Sequence, residues 1–539
     1  MLVCRCMLDW CAMGGAGSQP SAAHESLASS ELPSSSPAAR ARGIAEWVMA
    51  AFVTGAALFS IWQAVQQAQL PFQLDYEEGN ILNAGVRIVQ GLSPYPHPEA
   101  FPSVFNPYGP VGYWVTALCV RLGGVWFTLP RLVMLACAAL IALMLFLLIQ
   151  EWTGSVPVAL AFGLYFLITD PARLWMPLLR VDLLAIALTL TGLWVCLPVL
   201  AGRDGATWRC PAAALFFTLA VFTKYTALAA PAACLLTLAA RRDWRRTLLL
   251  AGSTGALCLA GFLAMQAATD GQFSFHMFRT HTDPYMFELL VDFLQVLLPS
   301  LAALIPLVLV FILIRPRAYL AAGFYLICAW VVPLVTGGKL GSSVNHFLEA
   351  LAACCIAAAL GYQKLTAYAG TRWLPPITSL VMCAAALYLP GALLLHSRIS
   401  PEGFSGCRAL YRRVQESPGK EVLSDNIGAV VLAGKVPAVS NPFVHAQLER
   451  ARVISPKPLE SAVAAGRFDL IVLDVDPANM KGYGTLGWRG PVLALIAKKY
   501  QVTRTYDCMN GKFLLEPKLA EKEAQPGERP PPAAHQKQP

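Results

Sequence analysis

Residues 211–240 read PAAALFFTLAVFTKYTALAAPAACLLTLAA, an apolar stretch whose one charge is Lys224. A helix that crosses a hydrocarbon layer of ~30 Å needs roughly 20 apolar residues, so this stretch overshoots a single crossing. It reads either as one long helix with a buried lysine or as two short crossings that meet at Lys224, and its length suits the second. In both cases a lysine at that depth requires an anionic partner, so a functional role is the first hypothesis. Snorkelling to the lipid headgroups is the ordinary alternative.

The same pattern extends outward. Apolar blocks of about 20 residues with few charges recur through residues 45–66 and most of 111–396. Of the 539 residues 56% are hydrophobic and 14% charged, with mean hydropathy +0.53, which excludes a soluble enzyme built on one core. The chain is a multi-pass integral membrane protein. Its net charge of +9 lies largely in short loops and reads as a topology signal, so membrane lipid and not nucleic acid is the expected surroundings. Most of the 15 cysteines sit inside apolar blocks, where they behave as small hydrophobes, and their spacing suits neither zinc nor a disulfide framework.

The chain divides at residues 43, 396 and 517. Residues 1–43, rich in Ser, Ala and Pro, read as a disordered cytoplasmic tail; the apolar run from Ala45 is too long, and lacks the cleavage site, for a signal peptide. Residues 44–396 form the membrane domain, with a large first outer loop at 67–110. Residues 397–517 change to a soluble pattern. There EVLSD, DLIVLDVD, YQVTRTYD and KFLLEP read as strands, and segments near 426–434, 456–466 and 490–500 as helices, giving a small extracytoplasmic α/β domain. Residues 518–539 are charged, Pro-rich and expected to be disordered. Basic clusters at Arg241, Arg242, Arg245 and Arg246, at Arg315 and Arg317, and at Lys364 with Arg372 should face the cytoplasm, as should the N-terminus. Counting from them gives about eleven crossings and puts the loops near Asp182, Lys224, 268–295 and Lys339 on one outer face. The block 109–124 must then be a half-membrane or surface helix.

Candidate chemistry lies on that face. Asp75, Glu77 and Glu78 follow the first crossing and precede a short amphipathic helix that carries Ala84, Val86 and Ile88 and stops at Gly91. On a helix Asp75 and Glu78 would share a face and bind a hydroxyl or a cation, or one would act as a general base; a helix-start charge cluster is the plainer reading. Asp182, with Arg180 two residues before it, is either a helix cap or a functional acid. In GKLGSSVNHFLE the glycines and serines can present N–H groups to an anion and Lys339 adds charge, while Asn345 and Glu349 fall on one helix face beside His346. His276, Arg279, His281 and Asp283 suit a solvated loop better than a metal site. Tyr76, Tyr95, Tyr108, Tyr113 and Trp114 serve equally as sugar platforms or as an interface belt. Cys407 and Cys508, the only cysteines past residue 397, can pair if the fold brings them close.

The ordered set DYEEGNILNAGVRIVQGLSPY, PYGPVGY, RVDLLAIAL, FTKYTAL and GKLGSSVNHFLE resembles bacterial integral-membrane glycosyltransferases of the C-type (GT-C) superfamily. The similarity is to the family 39 group of protein O-mannosyltransferases and lipid A aminoarabinose transferases. It implies an all-α polytopic membrane domain followed by a small α/β domain, placed in the bacterial inner membrane. It further implies an inverting transfer of a sugar from a polyprenyl-phosphate donor to an acceptor on the outer face. No cofactor is required in most of the group, although a divalent cation is compatible with the acids. In that scheme Asp75 or Glu78 is the base, Asp182 the second acid, and Arg180, Lys224 and Lys339 the cations for the lipid phosphate. Glu77, Asn345, His346 and Glu349 would line the substrate site. A transporter or flippase of lipid-linked sugars, or a scaffold that uses the α/β domain for binding, are the rival readings.

Overall fold

The computed structural model describes residues 37–203, 207–281, 283–314, 319–367, 373–394, 401–479, 481–482, 487–508 and 511–518. Most of both terminal tails, and the expected cytoplasmic arginines Arg315, Arg317 and Arg372, lie outside them.

The apolar blocks form helices, in order α1 (Pro37–Ala68), α2 (Tyr76–Val89), α3 (Pro110–Gly123), α4 (Thr128–Thr153), α5 (Val156–Ile168), α6 (Asp170–Trp175) and α7 (Asp182–Leu200). The thirty-residue stretch takes the second of its two readings and breaks into α8 (Arg209–Val221) and α9 (Ala229–Ala240), with Lys224 in the turn between them. The bundle continues with α10 (Trp244–Ala268), α11 (Gln272–Phe278), α12 (Phe287–Leu301), α13 (Ile305–Ile314), α14 (Leu320–Thr336), α15 (Leu348–Thr366) and α16 (Leu374–Leu394). Among the described residues five helices are long and apolar enough to cross a membrane, or six if the pair α12 and α13, bent by 91°, is one span; five shorter apolar helices accompany them.

Helix α15 is the axis of the bundle, with 94% of its spanning window buried, whereas α10 is 6% buried and turns nearly its whole circumference outward. Their sequences explain the difference. The run LAACCIAAALGY of α15 is made of small residues that admit close neighbours. A Cβ on Gly361 would lie 2.0 Å from the Leu307 carbonyl oxygen, so α13 crosses α15 at backbone contact there. Helix α10 instead exposes Leu248, Leu259 and Leu263, as a lipid-facing surface should.

The first loop is a folded layer. Helix α2 is amphipathic and ends where expected, with Gly91 at φ +74°. Helix α3, fourteen residues or about 21 Å long, packs along it and is too short to span. The extended chain from 91 to 109 is pinned by buried side chains, so His276 is no loop residue: it accepts from Asn106 N (3.2 Å) and lies 2.9 Å from the Pro96 carbonyl oxygen.

Beyond α16 the chain forms α17 (Pro401–Glu416), β1 (Glu421–Ser424), α18 (Ile427–Leu432), β2 (Val436–Pro437), α19 (Pro442–Arg450), α20 (Lys457–Ala464), β3 (Ile471–Leu473), β4 (Val475–Asp476), β5 (Lys481–Gly482), α21 (Gly490–Lys499), β6 (Tyr500–Tyr506) and β7 (Lys512–Pro517). The main sheet has order β2-β1-β3-β7-β6, with β1 parallel to β2 and β3, and β7 antiparallel to β3 and β6. Cys407 and Cys508 form a disulfide that ties α17 to the β6–β7 turn. This domain is seated on the first loop by specific bonds: Ser103 N donates to Ala438 O (2.8 Å), Ser440 N to Ser103 O (2.9 Å) and Gly428 N to Gln73 Oε1 (2.6 Å). A Cβ on Gly79 would meet Gly428 N at 2.4 Å, so α2 and α18 touch backbone to backbone.

Candidate active site

The expected charges gather at helix ends on one side of the bundle. Asp75 caps the start of α2, Asp182 opens α7, Lys224 sits between α8 and α9, and Lys339 follows α14. They form a chain of contacts. Arg180 Nη1 donates to Asp75 Oδ1 (2.6 Å) and its Nε lies 3.7 Å from Asp182 Oδ2. Lys224 Nζ donates to Asp182 Oδ1 (2.6 Å), as do Asn345 Nδ2 to the same oxygen (2.7 Å) and Trp175 Nε1 to Oδ2 (3.2 Å). Asp182 is therefore no helix cap: its side chain makes no capping bond, and all of its recorded partners are side chains from other parts of the chain or from the turn before it.

Two of the three first-loop acids have other duties. Glu78 is fully buried and does not share a face with Asp75, because Asp75 lies outside the helix as its N-cap and Glu78 folds back to complete the capping box. Its oxygens accept from Leu74 N (2.6 Å), Asp75 N (3.2 Å), Leu179 N (2.7 Å), Arg131 Nε (2.8 Å) and Arg131 Nη2 (2.6 Å). All of these bonds tie Glu78 to the start of α2, to Leu179 and to Arg131, and it lines none of the three cavities described below. Glu77 lines the cleft but accepts from Asn80 Nδ2 (3.2 Å) and, across to the α/β domain, from Asn441 Nδ2 (2.7 Å). Burial pushes its carboxyl up, against the opposing pull of Arg180 and the two amides.

Three connected cavities follow the charge chain. The deepest is lined by Asp182, Lys224, Asn345, His346 and Glu349, and there Asn345 Oδ1 and Glu349 Oε1 have no hydrogen-bond partner among the described residues. The middle one, about 90 Å³, is lined by Arg180, Lys224, Lys339, Tyr76, Tyr108 and His281 among others. The widest, about 580 Å³, shares Tyr76, Arg180 and Gly341 with it and opens between Asp75 and the α/β domain. Lys339 Nζ donates to His281 O (3.4 Å). Near it burial holds the His281 imidazole down at about 4, helped by the Lys339 charge, and lifts the Asp283 carboxyl to about 6, against the pull of Lys339. Thr280, His281 and Asp283 thus line the site, whereas Phe278 and Arg279 face outward. Tyr76 and Tyr108 flank Arg180 at 5.8 and 5.9 Å from ring centroid to guanidinium, while Tyr95 and Tyr113 are buried struts and Trp114 faces outward.

Among the described residues no three His, Cys, Asp or Glu side chains come together as metal ligands. Asp75, Glu77 and Asp182 each already accept from an arginine, a lysine or an amide.

No protein-family model and no curated protein matches the sequence. Solved structures do. The chain superposes on ArnT from Cupriavidus metallidurans in the apo state with TM-score 0.60 at 15% identity, covering 86% of this chain and 96% of that one. The form of that protein bound to undecaprenyl phosphate gives TM-score 0.60 at 15% identity over 86% of this chain and 97% of that chain. The chain shares the fold of these two structures. A more distant structure, the archaeal oligosaccharyltransferase AglB from Archaeoglobus fulgidus in complex with an inhibitory peptide and a dolichol-phosphate, gives TM-score 0.50 at 13% identity over 84% of this chain and 72% of that one.

Sequence reading missed Arg131, the partner of Glu78, although a lone arginine in the apolar run TLPRLVMLACAAL is a visible signal for a buried ion pair. It also missed Asn441, Asp425 and Asp474, whose part in the site depends on how the α/β domain is seated.

Proposed function

We propose that this protein is a membrane glycosyltransferase that moves a sugar from a polyprenyl-phosphate donor to a hydroxyl-bearing acceptor, with inversion. The observation that carries this reading is the contact chain Asp75–Arg180–Asp182–Lys224 in a cleft at the helix ends, next to Lys339. The GT-C fold and the undecaprenyl phosphate bound by ArnT support it.

The donor phosphate occupies the middle cavity against Lys224, Arg180 and Lys339. Asp75, on the wider cavity, takes the proton of the acceptor hydroxyl as its oxygen attacks the anomeric carbon. The bond from that carbon to the phosphate oxygen breaks and the electron pair leaves with the phosphate. Cations fixed beforehand by Asp75 and Asp182 stabilise that charge without reorganising, which in a water-poor site is worth far more than in bulk solvent. Asp182 thus acts through Lys224 and Arg180 as a positioning acid.

The cleft side is the extracytoplasmic one in this proposal: the disulfide belongs to an oxidising compartment, and Arg241 and Arg242, following α9, lie at the opposite end. With the inner membrane of a bacterium as its place, the N-terminus is then cytoplasmic. Purified protein incubated with a radiolabelled polyprenyl-phosphate sugar and membrane extract should transfer label to an acceptor, and Asp182→Asn should not. Label that crosses a vesicle bilayer still attached to its lipid would favour a flippase, the second reading, for which the sharply bent pair α12 and α13 is the supporting feature.

A further inference from the structure

The widest cavity has a wall that the transfer reaction leaves unused. Strands β2, β1 and β3 run parallel, and the residues that follow their carboxyl ends converge on it: Ser440 and Asn441 after β2, Asp425 and Asn426 after β1, and Asp474 after β3. In open α/β sheets ligands bind at this edge, because the turns that leave parallel strands there are free to carry polar groups. Here the edge faces Asp75 and Arg180 across about 580 Å³, within the size range of a small-molecule site.

Its polar groups are fixed in place. Asp425 accepts from Trp488 Nε1 (2.8 Å) and from Asp474 N (2.8 Å), and Asp474 Oδ1 pairs with Lys512 Nζ (2.7 Å). A carboxylate has about four acceptor positions, so both acids keep lone pairs for a ligand while their orientation is set. Trp175, Tyr76 and Phe443 add flat apolar faces to the same chamber. Directed acceptors beside aromatic faces match a polyhydroxylated ring, whose hydroxyls donate and whose C–H faces stack. An extended peptide is the weaker fit. It would need an open strand edge, and beyond β2 the chain is already bridged at Val439 by Ser103 of the first loop.

We propose that this chamber is the acceptor subsite and that it takes a glycan, with Asp425 and Asp474 receiving its hydroxyl hydrogen bonds so that one further hydroxyl reaches Asp75. The proposal rests on the transferase reading and adds the acceptor class to it. The two cavities divide the labour: Lys224 and Lys339 line only the donor side, Asp425 and Asp474 only the acceptor side, and Arg180 lines both.

The test uses the full-length protein in lipid nanodiscs, with two probes measured separately. One is undecaprenyl phosphate; the other is an array of cell-envelope oligosaccharides printed beside a random peptide library. The parent protein should bind a subset of the oligosaccharides. Asp425→Asn and Asp474→Asn should each weaken that binding at least tenfold while leaving undecaprenyl phosphate affinity within twofold. The second readout also shows that each variant is folded. Lys512→Met, which removes the ion pair that orients Asp474, should alter the ranking among oligosaccharides. Peptide binding that is lost in the two aspartate variants, or oligosaccharide binding that survives in both, overturns the proposal. Failure of the parent to bind undecaprenyl phosphate would instead strike the transferase reading, so the two failures are separable.

Discussion

The first-loop acids offer a direct test, because two carboxylates three residues apart should fail in different ways. In Glu78→Gln the side-chain oxygen that remains can serve one pair of donors, for instance Arg131 Nε and Leu179 N. The new amide nitrogen then points its hydrogens at Leu74 N, Asp75 N and Arg131 Nη2, all of them donors. Arg131, itself fully buried, loses its counter-charge and keeps only neutral partners, among them the carbonyls of Leu70 and Phe72. Breaking one side of a buried ion pair costs about 3–5 kcal/mol, and each buried donor left unmet roughly 1–3 more. Since whole domains are stable by only about 5–15 kcal/mol, this change should lower the thermal midpoint sharply and cut the yield of monodisperse protein. Asp75→Asn should do neither, because the side chain keeps an oxygen for Glu77 N and for Arg180, yet transfer should fall about 10²–10⁴-fold with loss of the general base. Thermal unfolding in detergent and turnover of a radiolabelled donor, measured on the same preparations, give both quantities. The reasoning is refuted if Glu78→Gln melts like the parent but is as inactive as Asp75→Asn, for Glu78 would then be the chemical group.

Lys224→Met should raise the Kd for a polyprenyl-phosphate sugar by about tenfold or more, as expected for a charge-assisted bond of roughly 1.5–3 kcal/mol, while Arg180 and Asn345 still hold Asp182; an unchanged Kd by a filter-binding assay would remove Lys224 from the phosphate site. Burial places the Asp283 carboxyl at about 6 in the folded protein, above the ordinary aspartate range, so it gains a proton as pH falls through 6 and the nearby Lys339 charge becomes uncompensated. Donor affinity should therefore tighten between pH 7.5 and 5 in the parent and stay level in Asp283→Asn, with His281, already neutral over that range, contributing nothing. The same raised value means that ionising Asp283 opposes folding, so its unfavourable contribution should grow as pH rises from about 4 to 6, and Asp283→Asn should melt higher than the parent at pH 8 but not at pH 4. Removing the disulfide by Cys407→Ser and Cys508→Ser together releases a closure of 101 residues and should destabilise the α/β domain by about 2–5 kcal/mol, seen as a lower midpoint for that domain under non-reducing conditions.

Much of the architecture is written locally. Runs of apolar residues near the length of a bilayer crossing must become helices, since an unpaired backbone in lipid is too unfavourable, and the break at Lys224 is the one of two readings that its length favoured. The strands at Glu421–Ser424, Ile471–Leu473, Tyr500–Tyr506 and Lys512–Pro517 were equally legible, because alternation and bounding turns act over a few residues. The surroundings of each acid were not. Beyond their different places in the capping box, Asp75 and Glu78 are set apart by what comes to them from far along the chain: Arg180 at a separation of 105 residues reaches one, and Arg131 at a separation of 53 reaches the other. Asn345 meets Asp182 across 163 residues, and Asn441 meets Glu77 across 364. Hydropathy sets the depth of a charge in the bilayer, but its neighbours are set by how helices and the α/β domain pack, and that packing alone turned Glu78 into a strut and opened a chamber beside Asp75.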